Sequence, residues 1–174
     1  EKNEKLGKKV YITGKGRCNV TNACDMETML QNVVTNPRFL YSSFYGYTNQ
    51  DVMDFFESLG LQIKVERGNR VFPASDHSSD VIKVLEKEMK AQGVQIHLYQ
   101  TVAKKDGRFA ALKLADGTVV EGDACILCTG GMSYQTTGST GDGYRFAKAL
   151  GHKVTELRPS LVPIETKEYF VPEL

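Results

Sequence analysis

Ala124–His152 reads ACILCTGGMSYQTTGSTGDGYRFAKALGH, and the fold turns on how that stretch is interpreted. Its first five residues, Ala124 to Cys128, are apolar or small, too few for a helix and without polar alternation. Closed by glycines, such a run predicts a strand buried on both faces, as in a parallel sheet covered by helices. Thr129-Gly130-Gly131 follows at the carboxyl end of that strand, the edge where open α/β sheets bind ligands. Gly138 to Gly143 then opens a helix. Ser139 or Thr140 can cap it, Asp142 suits the positive end of its dipole, and Tyr144, Ala147 and Leu150 share one face. Gly151 supplies the stop. A tight strand–loop–helix connection with no ligand is the plain alternative. Three glycines and four hydroxyl residues between Thr136 and Gly143 argue against it, because core connections seldom need so many.

Upstream, Asp106-Gly107 and Asp116-Gly117 predict two hairpin turns, with Ala110, Leu112 and Leu114 alternating between them. That gives a three-stranded antiparallel meander feeding the strand at Ala124. Before it runs a βα alternation. Asn49 can cap a helix to Leu59, with Val52, Phe55, Phe56 and Leu59 on one face and Gly60 ending it. Leu61, Ile63 and Val65 alternate as a strand, and Val71 and Phe72 pair back through Arg67-Gly68-Asn69. A helix from Ser78 or Ser79 carries Val81, Ile82, Leu85 and Met89 and is closed by Gly93; Ile96 and Leu98 mark the next strand. Val154 to Leu174 holds three prolines and no helical stripe. The chain therefore divides into 1–157, an α/β domain, and 158–174, the start of a further domain.

At 174 residues the chain is long enough for one domain with a real core. Hydrophobic residues make up 41% and charged ones 25%, the balance of a water-exposed globular fold. A formal charge of +1 creates no general field toward nucleic acid or a membrane, and no apolar run approaches bilayer length. Without a signal peptide pattern at Glu-Lys-Asn-Glu-Lys, a reduced cytoplasmic setting is expected. Cys125 and Cys128 have CxxC spacing, but residues three apart on a strand face opposite ways. Buried structural thiols are expected there rather than a metal or redox pair. His77, His97 and His152 are scattered, so no metal set and no triad is assigned.

The second informative stretch is residues 1–24, EKNEKLGKKVYITGKGRCNVTNAC. Gly7, Gly14 and Gly16 are interspersed with Lys5, Lys8, Lys9, Lys15 and Arg17, and small polar residues follow. Pliable backbone with fixed positive charge suits a phosphate-bearing ligand, and a solvated basic loop is the alternative. Gly14-Lys15-Gly16-Arg17-Cys18-Asn19 is neither a Walker loop nor GxGxxG, since Asn19 stands where the third glycine belongs.

Three blocks together carry a family resemblance: EKNEKLGKK at Glu1–Lys9, TGKGRCNVTN at Thr13–Asn22, and TGGMSYQTTGSTGDGY at Thr129–Tyr144. The chain resembles the bacterial flavoproteins with two dinucleotide-binding domains, the aminoacetone-oxidase-like and bile-acid 4,6-reductase-like FAD/NAD(P)-dependent oxidoreductases. The resemblance implies part of a Rossmann-like FAD-binding domain, a parallel sheet with helices plus the meander. It implies that Glu1 holds the adenosine ribose, with Lys2, Gly7 and Lys8 beside it. It implies further that Thr13, Gly14, Gly16, Arg17, Cys18 and Asn19 lie along the flavin, and that Val102 gives adenine a backbone contact. Thr129, Gly130 and Gly131 match the second dinucleotide motif. FAD is the implied cofactor, NAD(P)H the implied co-substrate, and a small organic molecule the implied substrate. Family members open with a strand, GxGxxG and a helix on the FAD pyrophosphate; no GxGxxG occurs here. The chain is accordingly read as an internal portion of a longer flavoprotein, needing other parts of the same polypeptide to hold FAD.

No acid, base or nucleophile stands out, so no catalytic residue is assigned. Cys18 can lie near a flavin or be an inert packed thiol; Arg17 can stabilise a reduced flavin's charge or form a structural ion pair. The functional alternative is a non-catalytic nucleotide-binding or interaction module. RNA binding is disfavoured by the near-neutral charge and by the lack of aromatics interleaved with the N-terminal lysines.

Overall fold

The computed structural model describes residues 1–100, 102–103 and 111–159. A short helix α1 (Lys8–Ile12) runs into a 3₁₀ turn (Thr13–Gly16) and then strand β1 (Thr21–Asn22). Helices α2 (Met26–Gln31), α3 (Pro37–Gly46) and α4 (Asn49–Ser58) follow, then the hairpin β2 (Ile63–Glu66) and β3 (Arg70–Pro73), and the long helix α5 (Ser78–Ala91). The meander is β4 (Val102–Ala103), β5 (Ala111–Leu114) and β6 (Val119–Glu121), and α6 spans Asp142–Ala149. No described helix is long and apolar enough to cross a membrane.

Local chemistry accounts for most of these elements. Thr48, not Asn49, caps α4: its hydroxyl accepts from Asp51 N at 3.1 Å while the Asp51 carboxylate accepts from Thr48 N at 2.7 Å. Asn49 instead donates from Nδ2 to the carbonyls of Asn22 and Cys24, tying α4 to β1. The β2–β3 hairpin closes through Arg67-Gly68-Asn69 with Val65 opposite Val71, as its alternation predicts, and β1 adds to the other edge of β3. Helix α5 lays its apolar stripe on α1 and β3. Cys18, Leu61 and Val81 form the centre of the core, surrounded by Val10, Val20, Phe56, Ile63, Val84 and Leu85. Cys18 is thus a packed thiol.

The meander forms as expected, with Leu112 opposite Val120 and Val102 opposite Leu114. Its first turn, Asp106-Gly107, and Ala110 fall outside the described residues, as do residues 160–174, most of the expected second domain. The two parallel strands expected at Ile96–Leu98 and Ala124–Cys128 carry no ladder, and both described sheets are antiparallel. A strand exists only with a neighbour to take its N–H and C=O groups. Residues 97–100 do lie beside residues 1–3: Glu1 N donates to His97 O, Gln100 N to Glu1 O and Tyr99 N to Asn3 O. Tyr99, at φ 58°, interrupts the run before it becomes regular. Residues 124–128 pair with no described strand, and Ile126 is 89% exposed. Cys125 and Cys128 are exposed too, correcting the expectation of buried thiols.

Candidate functional site

Two segments far apart in sequence enclose a cavity of about 440 Å³. One wall is the stretch from Glu1 to Val10; the other runs from Ile126 through Gly130 to the first turns of α6. Six of the residues singled out from the sequence line it: Glu1, Lys2, Gly7, Lys8, Thr129 and Gly130. The volume lies within the roughly 300–1,000 Å³ of small-molecule sites.

Hydrogen bonds stitch the walls together. Lys2 Nζ donates to Thr140 Oγ1 at 2.7 Å and reaches Asp142 Oδ2 at 3.2 Å. Asn3 Nδ2 donates to Glu1 Oε1 at 2.7 Å and to the Thr137 carbonyl at 2.9 Å, so one amide orients the carboxylate and pins the opposite loop. Lys9 Nζ donates to the Ser133 carbonyl at 2.7 Å and stands 4.8 Å from the centre of the Tyr134 ring. Sequence reasoning missed Asn3, Gln100 and Thr137 here. Gln100 and Thr137 act through a backbone N–H and a backbone carbonyl, for which residue type carries no signal. Thr129 Oγ1 is buried without a hydrogen-bonding partner, an uncommon state for a hydroxyl.

Helix α6 directs its N-terminus toward this cavity, capped by Gly141 rather than by Ser139 or Thr140. Asp142 occupies its first turn. Burial pushes this carboxyl up, but the Lys2 ammonium, the Thr140 hydroxyl and the Arg145 charge together outweigh that and hold it below its ordinary value of 3.8. A carboxyl held low when folded contributes stability that is complete above the unfolded value and is lost as pH falls through the lower folded one. The unfolding free energy of the protein is therefore expected to fall more steeply in acid, below about pH 4, than that of Asp142→Asn. Urea denaturation across the acid range checks this; parallel profiles would show that the Lys2–Asp142 contact adds nothing.

The block Thr13–Asn19 lies beyond the other end of α1, about 7.5 Å of helix rise away. None of its residues lines the cavity, so Gly16 and Gly130 do not share that space. Thr13 Oγ1 donates to the Val10 carbonyl at 2.7 Å, closing α1. Asn19, with its amide nitrogen turned inward, reaches Thr21 O at 2.9 Å and Val71 O at 3.2 Å. Arg17 pairs with Glu66 and Asp76, so the ion-pair alternative for it is the one realised. Of the two glycines in this block, Gly14 is hemmed in and Gly16 faces open space where a side chain would be. Gly131 packs near the Tyr144 hydroxyl, and Val102 is placed by its backbone alone, in β4.

The cavity lies at the glycine turn before α6, between the segment 1–10 and the loop that leads into that helix. The chain belongs to the HI0933-like protein Rossmann domain family, whose model matches residues 1–166. It is 34% identical over 177 residues to the 3-dehydro-bile acid delta(4,6)-reductase of Clostridium scindens, covering 97% of this chain and 41% of that protein. Ribosomal RNA dihydrouridine synthases of Haemophilus influenzae and Escherichia coli are 27% and 28% identical, over 95% and 98% of this chain and 42% of each relative. The chain thus spans about two fifths of the length of the curated relatives it matches.

Proposed function

We propose that this chain is the central, nucleotide-holding portion of an FAD-dependent oxidoreductase, acting in a cytoplasmic setting. One observation carries the reading: Lys2 and Thr140, 138 positions apart, meet across a cavity walled by the first and third of the family blocks. The residues present fit the adenosine half of a dinucleotide. Glu1, oriented by Asn3, is an acceptor for ribose hydroxyls, and Thr129 and Gly130 line the opposite wall. Lys2 and Lys8 offset the two carboxylates, Glu1 and Asp142, that line the same space. Along α1 the path leads to the open backbone of Gly16, where the flavin half belongs on this reading.

FAD, when bound, supplies hydride chemistry between NAD(P)H and a small organic substrate; the chain's own residues bind and orient it. A bile-acid reductase and two ribosomal RNA dihydrouridine synthases match the same residues, so the substrate is chosen by other parts of such proteins. Bare Ile126 and Leu127 mark the face that those parts cover, and other segments of the same polypeptide are needed for full affinity. The gene product containing residues 1–174 is expected to purify with flavin absorption or to regain it on titration with FAD, while residues 1–174 alone bind FAD weakly. A colourless product that cannot be reconstituted overturns the flavoprotein reading. The separation of Gly14–Asn19 from the cavity favours one second reading, a nucleotide-binding module without flavin. It predicts ADP binding in that same colourless product.

A further inference from the structure

Arg17 is the one arginine of the glycine-rich block, and its guanidinium is engaged on two edges and one face. Nε donates to Asp76 Oδ1 at 2.7 Å, and Nη2 meets Glu66 Oε1 at 2.5 Å. The guanidinium carbon stands 4.1 Å from the centre of the Phe72 ring. That ring is 3% exposed and forms a fixed floor. A Cβ at Gly14 would come within 3.3 Å of the same ring, so the turn and the stacked arginine share one support. Lys64 Nζ reaches both carboxylates as well, Asp76 at 2.6 Å and Glu66 at 3.3 Å. Two cations and two anions thereby neutralise one another. All of Arg17's partners stand on the β2–β3 hairpin or its exit, and none lines the cavity.

A planar fork that also stacks is a job for arginine, since lysine offers only a point charge. We infer that Arg17 is a positioning residue that clamps the Gly14–Asn19 turn onto the β2–β3 hairpin, fixing where the open Gly16 backbone meets the flavin half of the cofactor. Its charge is spent on the hairpin and does not face the flavin. The inference deepens the FAD reading and rests on it for the identity of the ligand, but the clamp itself can be measured without flavin.

The test compares Arg17→Lys, Arg17→Gln and the double variant Glu66→Gln/Asp76→Asn in the flavin-containing gene product. The first readout is the rate of tryptic cleavage after Lys15, inside the clamped turn; the second is FAD affinity, and the third the flavin midpoint potential. All three variants are expected to speed cleavage after Lys15 by about tenfold and to weaken FAD retention in parallel, with the potential unchanged. Retained charge in Arg17→Lys gives no rescue. The inference is overturned if Arg17→Lys matches the parent protein in cleavage and retention. It is equally overturned if Arg17→Gln shifts the potential while cleavage stays at the parental rate. A parent protein that holds no flavin defeats the FAD reading instead, and the cleavage comparison still decides for or against the clamp.

Discussion

Replacing Gly14 by alanine is expected to lower stability by about 2–4 kcal/mol, whereas the same change at Gly16 costs about 1 kcal/mol. Both glycines have positive φ, 56° and 85°, so each substitution carries the left-handed penalty of an L-residue. Surroundings separate them. A Cβ at Gly14 would sit 2.9 Å from the backbone nitrogen of Asn19 and 3.3 Å from the Phe72 ring, neither of which can yield cheaply. At Gly16 nothing lies within 4 Å. In a chain of this size each kcal/mol moves the melting temperature by about 2–4 °C, so thermal unfolding followed by circular dichroism resolves the pair. Equal, small losses at both positions would mean that the turn is not pressed against the hairpin, and the clamp argued for Arg17 would lose its footing.

Elements with a period and a cap were legible in the sequence. The β2–β3 hairpin, α4, α5 and α6 follow from alternation or a helical stripe within a residue or two of their observed ends. Helices α2 and α3 were not foreseen, although both carried signals: the Asp25 carboxylate accepts from Thr28 N, and Pro37 opens α3 behind Asn36. Helix α1 gave none, being only five residues long and held in place by α5. The run Ala124–Cys128 shows the limit of composition: five apolar residues say that burial is wanted, but only a neighbouring strand turns the run into a ladder. The site divides the same way. The family resemblance pointed to Glu1, Lys2, Gly7, Lys8, Thr129 and Gly130, which the fold brings together. Cys18, Asn19 and Arg17 belong to a motif just as specific, yet their side chains point into the core or onto β3 and the hairpin. A motif marks where backbone comes close to a ligand and leaves open which of its side chains do the touching.

That distinction bears most on Gly138, which the sequence marked only as part of a turn. At φ 99° it lies in the left-handed half of the map, and a Cβ there would stand 2.8 Å from Asn3 Nδ2 and 3.1 Å from Lys2 Cε. Asn3 is the amide that orients Glu1 and holds the Thr137 carbonyl, so pushing it aside unlatches both walls at once. Gly138→Ala is therefore expected to weaken binding of ADP, the adenosine half of the cofactor, by about tenfold or more, equivalent to about 1.4 kcal/mol. Its cost to overall stability stays at about 1 kcal/mol of backbone penalty, because the atoms struck are the ends of the Asn3 and Lys2 side chains and not backbone. Shortening the struck residue separates clash from backbone strain. If the clash dominates, Asn3→Ala/Gly138→Ala binds ADP no worse than Asn3→Ala alone, a strongly non-additive cycle. Titration calorimetry with ADP on the gene product gives all four corners of that cycle. Additive losses would place the effect in the backbone of the turn, and an unchanged affinity in a folded Gly138→Ala would show that the nucleotide binds somewhere other than between these two walls.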